Sequence, residues 1–172
     1  AADLDQLEDV AVAPDGTIYG ISTQVNHPGG LRRIEADGKV HDVASPTPIT
    51  IPTGLAVDEN ERVYVCGRDA GSNGLVVRID PDGTVTPIAG RSWQGGPDPT
   101  PATLGDGADA TQAILVSPVD LALGTDGALY IADAGQAGAP LLGRVRRVEL
   151  QSGIIDTVAG GGVDASSDED LG

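Results

Sequence analysis

The chain has 172 residues, among them 25 Gly, 12 Pro and a single Cys, with no Phe, no Met and a formal net charge of −16. That acidity opposes a nucleic-acid partner, whose binding rests on Lys and Arg neutralising phosphates, one cysteine excludes a disulfide framework and a Cys-based zinc site, and no run of about 18 apolar residues is present for membrane insertion. A core without Phe or Met has to be built from Val, Ile, Leu and Ala, which suits stacked strands punctuated by Gly and Pro turns, so the expected class is all-β.

In chain order, a strand at 10–13 turns through Asp15-Gly16 into a strand carrying Tyr19. A loop at 22–30 leads to a third strand ending on Ile34, and Asp37-Gly38 leads to a fourth at 39–43. The same succession returns twice. It reads 55–58, Glu59-Asn60, Tyr64, loop 67–74, Ile79, Asp82-Gly83 and 84–89, and then 121–124, Asp126-Gly127, Tyr130, loop 133–143, Val148, Ser152-Gly153 and 154–159. The chain is thus three copies of one unit, 8–45, 53–90 and 119–160, with a connector at 91–117 and an acidic tail at 161–172. Asp-Gly between alternating apolar runs is a strong hairpin signal, so each copy is a four-stranded antiparallel meander. Such a sheet cannot cover both of its faces alone, and the copies are expected to stack as propeller blades.

The run PVDLALGTDGALYIAD, from Pro118 to Asp133, followed by RVRRVE and SGIIDTVAGGG, resembles an NHL repeat, the blade unit of NHL β-propellers. The linker ending GDGADATQAILVSP is similar to the connector of bacterial NHL arrays. The resemblance implies a β-propeller of which these three blades are half of a six-bladed ring, completed by self-association or by a missing half. The first two copies depart from the pattern, with Ser22 and Gly67 where the third has Asp133. GDGADATQA, residues 105–113, looks like a calcium loop. It lacks the D-x-[DN]-x-[DN]-G order that gathers oxygens around one ion, so Asp106 and Asp109 are read as part of the connector.

In a meander the first-to-second and third-to-fourth turns share one end of the blade. Here they are tight, and the elaboration lies at the other end, in 22–30, 67–74, 133–143 and 91–117. Loops of unequal length on a regular scaffold are where binding resides. The binding candidates are Asn26, His27, Arg68, Asp69, Asn73, Trp93, Asp133 and Gln136, with Trp93 either plugging a blade junction or anchoring a partner. First strands line the central channel and place Glu8, Asp9 and Asp120 there, with Gly54 between; these are metal candidates only under a lactonase-like resemblance, and pairing with backbone amides is the plainer reading. Arg33, Arg78 and Arg147 recur on third strands, with Arg32 and Arg146 beside two of them, and are expected to pair between blades with the many acids. Cys66 reads as a small core residue.

No paired-histidine metal motif, G-x-S-x-G elbow or phosphate loop is present. The expectation is a non-enzymatic binding or scaffold module for a protein or glycan, without cofactor. The alternative is a metal-dependent hydrolase, lactonase or lyase with a divalent ion such as Ca2+ in the channel. Without Met the chain cannot start at its own initiator, so Ala1 reads as a processed or trimmed start. One Lys against nine Arg suggests a GC-rich bacterial source, and an extracytoplasmic or secreted location is expected.

Overall fold

A computed structural model describes residues 7–22, 30–44, 48–92, 103–135 and 143–161. Among them three antiparallel sheets follow one another, two of four strands and a third whose four strands are joined by a short fifth. Blade I comprises β1 Leu7–Val12, β2 Ile18–Ser22, β3 Leu31–Ile34 and β4 Val40–Ala44, and blade II β5 Ile51–Val57, β6 Val63–Arg68, β7 Gly74–Ile79 and β8 Val85–Ala89. After β9, Ala108–Asp109, and a 3-10 turn at Ala110–Gln112, blade III comprises β10 Pro118–Leu123, β11 Ala128–Asp133, β12 Arg144–Glu149 and β13 Ile154–Gly160. The inner strands β1, β5 and β10 lie side by side. No helix among the described residues is long and apolar enough to cross a membrane.

Repeat register is kept residue by residue. Tyr19, Tyr64 and Tyr130 sit opposite Ala11, Ala56 and Ala122, and Cys66 and Ala132 sit opposite Gly54 and Asp120. Each inner strand begins a few residues earlier than its apolar alternation predicts. A bulge between Leu7 and Asp9, Pro52 and Gly54, or Pro118 and Asp120 breaks the period of two there and hides the first half of the strand.

Five of the six first-to-second and third-to-fourth hairpins are three-residue loops in which a type I turn ends on a left-handed residue, and the sixth, between β12 and β13, is a four-residue loop closed by Gly153 donating to the Glu149 carbonyl at 2.8 Å. In the first, Gly16 donates to the Ala13 carbonyl at 2.9 Å and Ala13 to Thr17 at 2.8 Å, with Gly16 at φ 90°. In blade II the positive φ falls on Glu61, at 58°, one place beyond the expected Glu59-Asn60. The Asp before each glycine accepts the amide two residues on, 2.8 Å from Thr17 for Asp15 and 2.9 Å from Thr84 for Asp82. Those amides hold Asp15 and Asp82 below the ordinary carboxylate range, as the bond to Lys39 does for Asp37 and the guanidinium of Arg147 for Asp126. Groups depressed on folding contribute stability that is present above their unfolded value, near 3.9, and lost as pH falls through the lower folded values. Urea midpoints are therefore expected to hold between pH 7 and 5 and to drop below about pH 4; a midpoint unchanged at pH 2.5 would contradict this.

The core lies between the blades. Tyr19, Ile21 and Leu31 of blade I pack with Leu55, Val63, Val65, Val77 and Ile79 of blade II. The other face of blade II, made of Ala56, Tyr64, Cys66, Val76 and Ala89, packs with Leu121, Leu129, Ile131, Val148 and Ile155 of blade III, together with Ala110, Ala113 and Leu115 of the connector. Between blades II and III the small Ala56, Cys66 and Ala89 meet larger aliphatic side chains, which helps a core without Phe or Met to pack closely. Cys66 is fully buried there, and that burial pushes its thiol up to about 12. It is expected to resist an aromatic disulfide reagent at pH 8 until the protein is unfolded. Fast labelling of the native protein would mean that the interface between blades II and III opens.

Candidate functional site

At the end of the blades where β6 and β11 finish, two expected site residues meet, and what they hold is the chain itself. Asp133, 1% exposed, accepts the Ser117 amide at 2.6 Å and the Val116 amide at 3.2 Å, with Arg144 Nε 3.9 Å away. Arg68 Nη2, from blade II, donates to Ser117 Oγ at 2.6 Å. Ser117 is thus gripped from both blades, and the connector is fastened where it enters β10. Ser22 and Gly67 stand at the place of Asp133 in the other blades. At Gly67 the segment 49–52 lies so close that a Cβ would meet the Ile51 carbonyl, so a carboxylate has no room where the connection is short.

Asp69 and Asn73 are consumed by a turn. Contrary to the expected long loop, the 67–74 connection is as tight as those at the opposite end. Ser72 donates to the Asp69 carbonyl at 2.9 Å and Asp69 to Asn73 at 3.0 Å, with Ser72 at φ 65°. Asp69 Oδ1 accepts the amides of Gly71 and Asn73 at 2.8 Å each, and Oδ2 accepts Ser92 Oγ at 2.9 Å. Partial burial raises the Asp69 carboxyl, but these donors outweigh it and the net shift is downward. Asn26, His27, Trp93 and Gln136 lie outside the described residues.

The channel carboxylates act as straps. Asp9 accepts the Val10 amide on Oδ1 at 2.8 Å and, across the blade junction, the Leu55 amide on Oδ2 at 2.9 Å. Asp120 accepts the Leu121 amide on Oδ1 at 2.8 Å. Thr53 Oγ1 donates to the Pro118 carbonyl at 2.8 Å and ties blade II to blade III. No group of three His, Cys, Asp or Glu side chains suited to a metal occurs among the described residues. Both oxygens of Asp9 are taken by backbone amides, as is Oδ1 of Asp120.

The arginines pair within their own blades, not between them as expected: Arg33 with Glu35 at 3.9 Å, Arg78 with Asp80 at 2.9 Å, and Arg147 with Asp126 at 2.8 Å and Glu149 at 3.0 Å. Their acids lie in or next to the adjoining turns of the same blade, within reach without crossing a junction. Arg32 likewise pairs with Asp42. Arg146 is the exception. Fully buried, it donates to Asp106 Oδ1 at 2.7 Å and to the Ile114 and Leu104 carbonyls at 3.3 and 3.4 Å.

Arg146 gives the GDGADATQA segment its role. Asp106 meets the buried guanidinium, and Asp109 accepts the Thr111 amide and hydroxyl at 2.8 Å each to cap the 3-10 turn. Residues 108–109 also add a fifth strand to blade III along β13. Ser117 and Arg144 carry no sequence motif, and Arg146 was expected only as a partner for acids of a neighbouring blade. The one signal for Arg146 was its place in alternation with Val148 on a strand whose other face is half exposed.

No family model and no curated protein matches the chain. Among solved structures it is similar to a catalytically inactive variant of virginiamycin B lyase from Staphylococcus aureus with quinupristin, at 19% identity and a TM-score of 0.56 over 91% of this chain and 42% of that one. It is also similar to a protein provisionally described as a gluconolactonase, at 18% identity and a TM-score of 0.56 over 88% of this chain and 47% of that one. Both likenesses establish the β-propeller fold, and the chain spans less than half the length of either.

Proposed function

We propose that this chain is part of a propeller enzyme, built of NHL-type repeats, that holds a small organic substrate of the lactone or cyclic-ester kind at the end of the blades where the connector emerges. The observation that carries the reading is the unequal build of the two ends. Hairpins of three or four residues close one end of all three blades, while the other has, beside the tight turn 69–73, the connector entry, the Arg68–Ser117–Asp133 clasp and, by sequence, the longer loops 22–30 and 133–143. Support for an enzyme over a scaffold comes from what the two similar propellers are described as, a lyase and a gluconolactonase. Fold alone supplies no activity. The described carboxylates at this end are committed to backbone amides, so the side chains proposed to meet the substrate are Asn26, His27, Trp93 and Gln136.

The test is a titration of 15N-labelled protein with a sugar lactone and, separately, with a soluble glycan, together with lactone turnover by the parent and by His27→Ala. Lactone shifts gathered around Arg68, Ser117 and Ala134, with turnover lost in the variant, are expected. Shifts centred on Gly16, Gly83 and Gly127 would move the site to the opposite end. Binding of the glycan alone would return the protein to the class of binding modules.

A further inference from the structure

The three inner strands carry Asp9, Gly54 and Asp120 at one register position, and the two blade junctions use that position differently. From blade I to blade II, Asp9 reaches across to the Leu55 amide at 2.9 Å. That amide follows a glycine and has no carboxylate of its own. From blade II to blade III the leading residue is Gly54, on which a Cβ would lie 2.8 Å from the Asp120 Cα and 3.0 Å from the Val119 carbonyl. The amide beyond, that of Leu121, is taken by Asp120 Oδ1 from its own blade at 2.8 Å. Both junctions obey one rule: the amide after this position receives one carboxylate, from its own blade or from the blade before, and an Asp on one side goes with a Gly on the other.

Asp120 leads the next junction, and its Oδ2 has no partner among the described residues. The face beside it repeats the covered face of blade II. Ala122, Tyr130, Ala132, Val145 and Ala159 hold the register places of Ala56, Tyr64, Cys66, Val76 and Ala89, the residues with which blade II packs onto blade III. Beside them Val119 and Val158 are 42% and 49% exposed, and a shallow hollow of about 360 Å³ opens between Val119, Ala132, Val145 and Ala159. At the other end of the row blade I exposes Val10 and Val12, the counterparts of Leu55 and Val57. An established interface therefore continues at both ends.

We propose that the free face of blade III is a docking surface for a further blade that carries glycine at the Gly54 position, and that blade I of a second copy does not fit it. A second copy would set Asp9 against Asp120. Its Val10 amide is already bonded to Asp9 Oδ1 at 2.8 Å, so two carboxylates would converge on one donor. Like charges with no cation between them oppose association, although the apolar faces match. An Asp–Gly–Asp row closed upon itself as two copies has this conflict at both new junctions.

Sedimentation and light scattering of the 172-residue chain, the Asp120→Gly variant and the Asp120→Asn variant test the proposal. Asp120→Gly turns the new junction into the Gly–Asp pairing already seen between blades II and III. It is expected to form a two-chain species about tenfold more tightly than the parent, or better, with Asp120→Asn intermediate. Protection of Cys66 from thiol reagents reports that the junction of blades II and III is intact. A parent chain that forms a two-chain ring as tightly as Asp120→Gly overturns the proposal, as does a Cys66-protected Asp120→Gly that associates no better than the parent. Should the glycine variant lose that protection, Asp120→Asn decides: tighter association than the parent supports the proposal, and unchanged association overturns it.

Discussion

Replacing Asp106 with alanine is expected to cost about 2–4 kcal/mol of folding stability, because it leaves a fully buried guanidinium without its carboxylate, a loss moderated by the 42% exposure of the Asp106 side chain. The exchange leaves the Arg146 guanidinium, fully buried, with only the Leu104 and Ile114 carbonyls at 3.4 and 3.3 Å and an Nε that has no partner. Burial already draws this arginine below its ordinary range, and Asp106 is the nearest charge that opposes the shift. The reverse exchange, Arg146→Met, is expected to cost less, about 1–3 kcal/mol. It removes the long bonds to the Ile114 and Leu104 carbonyls and strands a carboxylate whose side chain is 42% exposed and can turn to water, while methionine refills much of the volume. Urea unfolding of the two single variants and the double variant checks the order, and the double is expected to lose less than the sum because the groups act as one unit. An Asp106→Ala variant within about 1 kcal/mol of the parent would show that the connector is held by its apolar residues Ala110, Ala113 and Leu115, with the ion pair incidental.

The second large effect concerns the position shared by Ser22, Gly67 and Asp133. Giving blade II the residue of blade III, by Gly67→Asp, is expected to cost about 3 kcal/mol or more. The new side chain would run into the Ile51 carbonyl, and its Cβ would lie 2.7 Å from Ile49 Cγ2 and 2.8 Å from the Pro52 Cα. A carboxylate there meets a carbonyl oxygen, whereas Asp133 meets the amides of Ser117 and Val116. The reciprocal Asp133→Gly leaves those two amides without their acceptor, a loss of about 2–4 kcal/mol. Thermal unfolding followed by circular dichroism measures both. If Gly67→Asp melts with the parent, the close approach of 49–52 to Gly67 is not a feature of the protein in solution.

Those paired exchanges explain why the repeat was legible and its differences were not. Strand identity, the Asp-Gly turns and the equivalence of Tyr19, Tyr64 and Tyr130 depend on neighbours within a hairpin, and local alternation with positive-φ glycines encodes them directly. The position of Asp133 was legible too, as a departure from Ser22 and Gly67. Its role was not, because its partners come from a connector whose path is set by packing. The turn 69–73 was misjudged for a related reason: a left-handed Ser72 gives no sequence signal of the kind that Gly16 or Gly83 gives.

By itself the sequence determined the class, three four-stranded units in fixed register, a core of aliphatic side chains and the separation of tight turns from the long connector, since each follows from periodicity, turn chemistry and composition. Only the tertiary structure decided which charged groups are spent on the fold. Asp9 finds the Leu55 amide 46 residues on, Arg68 finds Ser117 49 residues on, and Arg146 finds Asp106 40 residues back. Each bond joins separate blades or a blade to the connector that wraps it. It exists because stacking brings partly buried donors and acceptors together at the blade junctions, where water reaches them poorly and pairing is favoured, and no pattern along the chain records that meeting.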